Sequence, residues 1–159
     1  MATDARLNPL DELQRAAGLA NQMDPRNVAA LAELLRAGDS AVRWWGAVGL
    51  LALRGDAVPS KPALLAALDD SSPDVRIAVA ETVAHLGALD RALPILGSAL
   101  RTDDVFARLS ALNAAHRLGP LARPLLPAIR QAKLVAPNHK DVSDYVGRIV
   151  EYLPGRIGD

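Results

Sequence analysis

Apolar residues recur along this chain at every third or fourth position, and the clearest run is Asp74 to Gly87, D-V-R-I-A-V-A-E-T-V-A-H-L-G. Val75, Ala78, Val79, Thr82, Val83 and Leu86 fall on one side of a helix of that period, and Gly87 stands where such a helix stops. The pattern returns upstream from Val42-Arg43 to Leu53-Arg54-Gly55, and downstream from Ala107-Arg108 to Leu118-Gly119. Arg43, Arg76 and Arg108 are therefore separated by steps of 33 and 32 residues. Steps of that size mark an array in which each unit buries its apolar face against its neighbours.

Shorter helices are predicted between the copies. Asn8-Pro9 opens a helix over 9–22 with an apolar stripe of Leu10, Leu13, Ala17 and Ala20, its early Asp11 and Glu12 facing the positive end of the dipole. Asp24-Pro25 starts another, carried by Val28, Leu31, Ala32 and Leu35 to Gly38, and Asp39-Ser40 leads into the first copy. A looser joint from Asp56 to Ser60 leads through Pro62 to Leu64, Leu65 and Leu68. Ser72-Pro73 then begins the second copy, Leu89 to Leu100 forms a helix with Pro94 about its first turn, and Asp103-Asp104 cap the third copy. Leu121 to Lys133 follows. After a polar joint at Pro137-Asn138 comes a last amphipathic helix through Val142, Val146, Ile149 and Leu153, ended by Pro154-Gly155. No stretch alternates as a strand does. The reading is all-α: an α-solenoid of about nine helices in one domain over 1–159, with a capping helix at 9–22 and hairpins at 25–55, 60–87, 89–119 and 120–153.

Composition narrows the chemistry. Half the residues are apolar but only two Trp, two Tyr and one Phe are aromatic, which suits closely packed helices. Eighteen basic residues balance eighteen acidic ones, so no basic excess exists to grip nucleic acid or an anionic membrane. The absence of cysteine removes disulfides, thiolate nucleophiles and cysteine metal sites. Met-Ala-Thr-Asp-Ala-Arg lacks the apolar core of a signal peptide, and no apolar run would span a bilayer.

The run D-V-R-x-x-x-A-E-x-x-x-x-L-G at 74–87 resembles a short HEAT repeat, a family in which the valine is core and the arginine joins a ladder with acidic residues of the neighbouring turn. Val42-Arg43 and Val75-Arg76 fit; Ala107 departs where valine is expected. The spacings of tetratricopeptide and ankyrin repeats are missing. Read together, P-L-D-E-L-Q-R-A-A-G-L-A, D-S-A-V-R-W-W-G-A-V-G-L-L-A-L, D-S-S-P-D-V-R-I-A-V-A-E-T-V-A-H-L-G and R-L-S-A-L-N-A-A-H-R-L-G are similar to the helical extension after the catalytic domain of bacterial sulfatases of the sulfamidase and arylsulfatase type. That resemblance implies an accessory module, cytoplasmic if free-standing and exported if joined to a sulfatase. The sulfatase signature itself is missing: Ser60-Lys61-Pro62-Ala63-Leu64 ends in leucine where arginine is required. The expected role is therefore non-catalytic, with no cofactor, no metal and no catalytic residue. The expected partner is a protein, either a sulfatase catalytic domain or another subunit, rather than nucleic acid or membrane. A free-standing scaffold using a concave second-helix face is the alternative, and a HEAT-like DNA-repair or lyase-type protein a third reading.

Arg43, Arg76 and Arg108 read as a structural ladder with Asp39, Asp70 and Asp104, although guanidinium groups would also suit sulfate or phosphate. Trp44, Val48 and Leu51 share a helix face that is apolar in the first copy, where the second has Ile77, Glu81 and Ala84-His85, and the third Leu109, Asn113 and His116-Arg117. They form a candidate docking patch, against the plainer reading of Trp44 as core beneath helix 9–22 or 25–37. His85, His116 and His139 are scattered and read as surface residues; Asp69-Asp70 and Asp103-Asp104 read as caps.

Overall fold

The computed structural model describes residues 10–132 and 140–158. Among these, every regular element is helical. The α-helices are α1 (Leu10–Asn21), α2 (Val28–Leu34), α3 (Ser40–Leu53), α4 (Lys61–Ala66), α5 (Pro73–His85), α6 (Leu89–Arg101), α7 (Val105–Leu118), α8 (Leu126–Gln131) and α9 (Lys140–Ile157). Seven span seven residues or more; α4 and α8 have six each and are extended by 3₁₀ turns. The joint Lys133 to His139 lies outside the described residues.

Helices α1, α3, α5, α7 and α9 lie side by side in chain order as one layer. The second layer is built from α2, α4, α6 and α8: α2 packs on α3, α6 between α5 and α7, and α8 on α9. Helix α1 is the first of the described elements and rests on α3. This is a two-layer stack of helical hairpins, the arrangement that a repeat near 33 residues requires.

Local chemistry sets the starts. Asp39 accepts from the backbone N–H groups of Ala41 and Val42, and Asp104 from those of Phe106 and Ala107. Each satisfies two amides that the first turn leaves without a partner. Ser72 makes no such side-chain bond; Pro73 begins α5 without an N–H, and Asp70 accepts from Ser72 N–H instead.

Packing follows small residues. A Cβ on Gly46 would lie 2.8 Å from both the Leu31 carbonyl oxygen and Leu34 Cβ, and one on Gly49 3.1 Å from Ala20 Cβ. These two glycines let α2 and α1 settle onto α3. In the middle of the layer α5 is buried nearly all round, from Val75 through Ala84, apart from the half-buried Arg76. One inward face was expected of it; flanking by α3 and α7 on the sides and α6 behind explains the wider burial.

Several expected boundaries shift. The residue that closes α3 with positive φ is Arg54 (φ 54°), not Gly55, and it occupies the position of Gly87 (φ 82°) and Gly119 (φ 56°) in the later copies. Pro94 is the sixth residue of α6, in its second turn. The segment after α7 is a 3₁₀ helix from Gly119 to Leu125 before α8 starts, because Pro120 and Pro124 withhold two N–H groups. Helix α9 runs through Pro154-Gly155 to Ile157, and the stop is Gly158 (φ 85°), whose N–H donates to the Pro154 carbonyl. Leu10, placed in the first apolar stripe, is exposed.

Candidate functional site

The three arginines of the column stand at equivalent places but do different things. The Arg43 guanidinium donates to both Asp70 carboxylate oxygens, at 2.7 and 3.0 Å, and to the carbonyls of Ala37 and Gly38. It thus ties its own turn to the turn of the next repeat, and the side chains of the pair are only 13% and 7% exposed. The Arg43 guanidinium holds the Asp70 carboxyl below its ordinary range, against the opposing effect of burial. Arg76 donates to the carbonyls of Asp70 and Ser71, and Arg108 to that of Thr102.

The position equivalent to Asp70 in the third repeat is Thr102, which has no carboxylate. Of the expected ladder, the Arg43–Asp70 rung joins two repeats, while Arg76 and Arg108 also bind carbonyls of their own turns. Asp39 and Asp104, expected as rungs, are helix caps instead.

Trp44, Val48 and Leu51 do lie together. They form one wall of a groove of about 220 Å³ along the first layer, with Ile77 and Glu81 of α5 on its floor and Asn113 and Arg117 of α7 opposite. Trp44 is half-buried and meets the Trp45 ring edge-on, with centroids 5.1 Å apart at 72°. It faces α5 and α7 across the groove and also packs against the buried core.

On the groove floor, Arg117 grips Glu81 through two bonds of 2.6 Å, 36 residues apart in sequence. The Glu81 side chain is 1% exposed and that of Arg117 48%. A buried carboxylate needs such a partner, since desolvation without compensation is costly. The polar residues of the second and third copies are thus joined to each other within the groove.

His85, expected at the surface, is half-buried there and belongs to the same chain of contacts. Its Nε2 lies 2.6 Å from Nη1 of Arg54 and 4.0 Å from Oε1 of Glu81. A guanidinium only donates, so Nε2 accepts and the ring proton sits on Nδ1. Burial, then the nearby Arg54, hold its pKa below the ordinary value, outweighing the pull of Glu81. The signal was present: Glu81 precedes His85 by four residues, one helical turn. His116 is exposed and packs edge-on to Tyr152, and His139 lies outside the described residues.

Among the described residues no cluster of three His, Cys, Asp or Glu side chains could hold a metal, and no helix is long and apolar enough to cross a membrane. What the geometry offers is a surface: an open groove with one apolar wall and an internally neutralised ion pair.

Stacked helical hairpins with such a groove define a helical-repeat protein. Residues 45–116, from within α3 almost to the end of α7, match the family model described as HEAT repeats, which supports a short HEAT-like repeat protein. No curated protein matches the chain.

Proposed function

We propose that this chain is a non-catalytic interaction module that docks a partner protein along the groove between α3, α5 and α7. The observation that carries the reading is the shared wall of Trp44, Val48 and Leu51, half-buried apolar side chains that line an opening. Half-buried tryptophan beside aliphatic groups suits an interface anchor, because the core fixes its ring while its remaining edge is open to a second surface. The HEAT repeat match supports the same use, since repeats of this class typically mediate protein interactions.

The narrower form of the proposal is that the partner is a sulfatase catalytic domain, a reading that rests on the four sequence segments resembling sulfatase extensions. The experiment is co-elution in size-exclusion chromatography of the full chain with such a domain, repeated with Val48→Asp. A complex lost in Val48→Asp supports both the groove and the partner. No complex with any sulfatase domain removes the narrower form alone. Salt-sensitive retention of duplex DNA would favour the DNA-repair reading instead.

A further inference from the structure

The groove continues past Trp44 toward the starts of the helices. There Trp44 shares with Ser40, Ser72, Asp74 and Ser110 an opening of about 320 Å³. Asp74 is its charged lining residue. It is exposed, and it makes no hydrogen bond or ion pair among the described residues. It is the second residue of α5, inside the first turn, and its side chain accepts from no backbone amide there. Its equivalents in the other copies are Ala41 and Phe106, so this carboxylate is particular to the second copy.

The two ends of the groove differ in charge. At the Leu51 end, Arg117 and Glu81 cancel each other. At the Trp44 end, one carboxylate without a counter-charge stands beside an indole and three serine side chains. An indole face attracts a cation, and a neighbouring carboxylate reinforces the choice.

We propose that the groove receives a partner segment that places an arginine or lysine side chain between Trp44 and Asp74, with an apolar side chain against Val48, Leu51 and Ile77. This rests on the docking reading above and adds the chemistry of the occupant. Arginine fits better than lysine, because a planar guanidinium stacks on the indole while pairing with the carboxylate. From Trp44 to Leu51 is seven residues of helix, a rise of about 10 Å. An extended segment covers that distance in about three residues, so the motif is a basic residue with an apolar one roughly three positions away.

The test selects random peptides displayed on phage against the full chain, then measures the selected peptides in solution against four forms: wild type, Asp74→Asn, Asp74→Lys and Val48→Asp. Asp74 is exposed and without a partner, so its variants retain the fold, checked by circular dichroism. Enriched peptides carrying arginine or lysine near an apolar residue, weakened about fivefold by Asp74→Asn and more by Asp74→Lys, support the proposal. Peptides that lack a basic residue and ignore both Asp74 changes, yet fail on Val48→Asp, overturn the cation site while the groove stands. Selection of nothing that depends on Val48 overturns both.

Discussion

Arg54 reaches His85 from a backbone conformation that the other repeats give to glycine: its φ of 54° and ψ of −124° nearly match the 56° and −129° of Gly119, while its guanidinium sits 2.6 Å from Nε2 of His85. A side chain held there costs about 1–2 kcal/mol. Replacing Arg54 with glycine removes that strain, so the urea midpoint at pH 8 is expected to hold or rise. The pH dependence should also change. His85 has a folded-state pKa below its ordinary 6.5, so its contribution is intact above that pH and is lost as pH falls toward the lowered value. Arg54→Gly takes away one cause of the lowering and leaves the pull of Glu81, so this loss becomes shallower. Urea midpoints from pH 8 to pH 5 read it, and equal slopes for wild type, Arg54→Gly and His85→Gln would sink the explanation.

The Glu81–Arg117 pair should respond unequally to deletion from its two sides. Arg117→Ala strands a buried carboxylate and is expected to cost about 3–5 kcal/mol. Replacing both residues by methionine removes the stranded charge and should cost much less, coming near neutral. Chemical denaturation of the two variants provides the comparison. A double variant as unstable as Arg117→Ala would mean that the cost lies in packing rather than charge.

The Arg43–Asp70 rung suggests how to add another. Asp70→Asn should lose about 1.5–3 kcal/mol, the worth of hydrogen bonds to a charged group. Because Asp70 titrates below its ordinary range, its contribution is complete above about pH 4 and disappears as acid lowers the pH through the folded value. Thr102→Asp places a carboxylate within the next turn for Arg76 and should gain about 0.5–1 kcal/mol. A calorimetric Tm unchanged or lowered by Thr102→Asp would show that the turn does not present the new carboxylate to Arg76.

Gly46 offers a test of how closely α2 meets α3. Alanine is the better helix former by about 1 kcal/mol, yet its Cβ would fall 2.8 Å from the Leu31 backbone oxygen. Overpacking should win, with a net loss of about 1–2 kcal/mol for Gly46→Ala. At Gly49 the nearest atom is the tip of the Leu31 side chain, at 2.6 Å, which can turn aside, so Gly49→Ala should lose less. Equal losses at the two sites would contradict the difference between backbone and side-chain obstacles.

The stack was legible where its causes are local. Asp39, Ser72-Pro73 and Asp104 announce three helix starts because caps and proline act within a few residues. The groove was half legible: Trp44, Val48 and Leu51 share a face by helical spacing alone, and the structure brings them together. The floor and the opposite wall were not, since Glu81 and Arg117 meet only when two repeats stack, and a single copy shows each as an ordinary charged residue. Aligning the copies offers a clue, because Glu81 matches Asn113 and Arg117 lies one turn beyond it. Arg54 was hidden by its neighbour, as Gly55 looks like the stop that the backbone in fact places one residue earlier.

The direct measurement of the central claim is a paired one on Trp44→Ser: unfolding free energy by urea, and binding of the peptides selected against the wild-type chain. If Trp44 is a docking wall, the variant gives up no more than about 2 kcal/mol of stability and loses the peptides. A loss of about 3–5 kcal/mol, the cost of emptying a core tryptophan site, or binding that persists unchanged, would contradict the account.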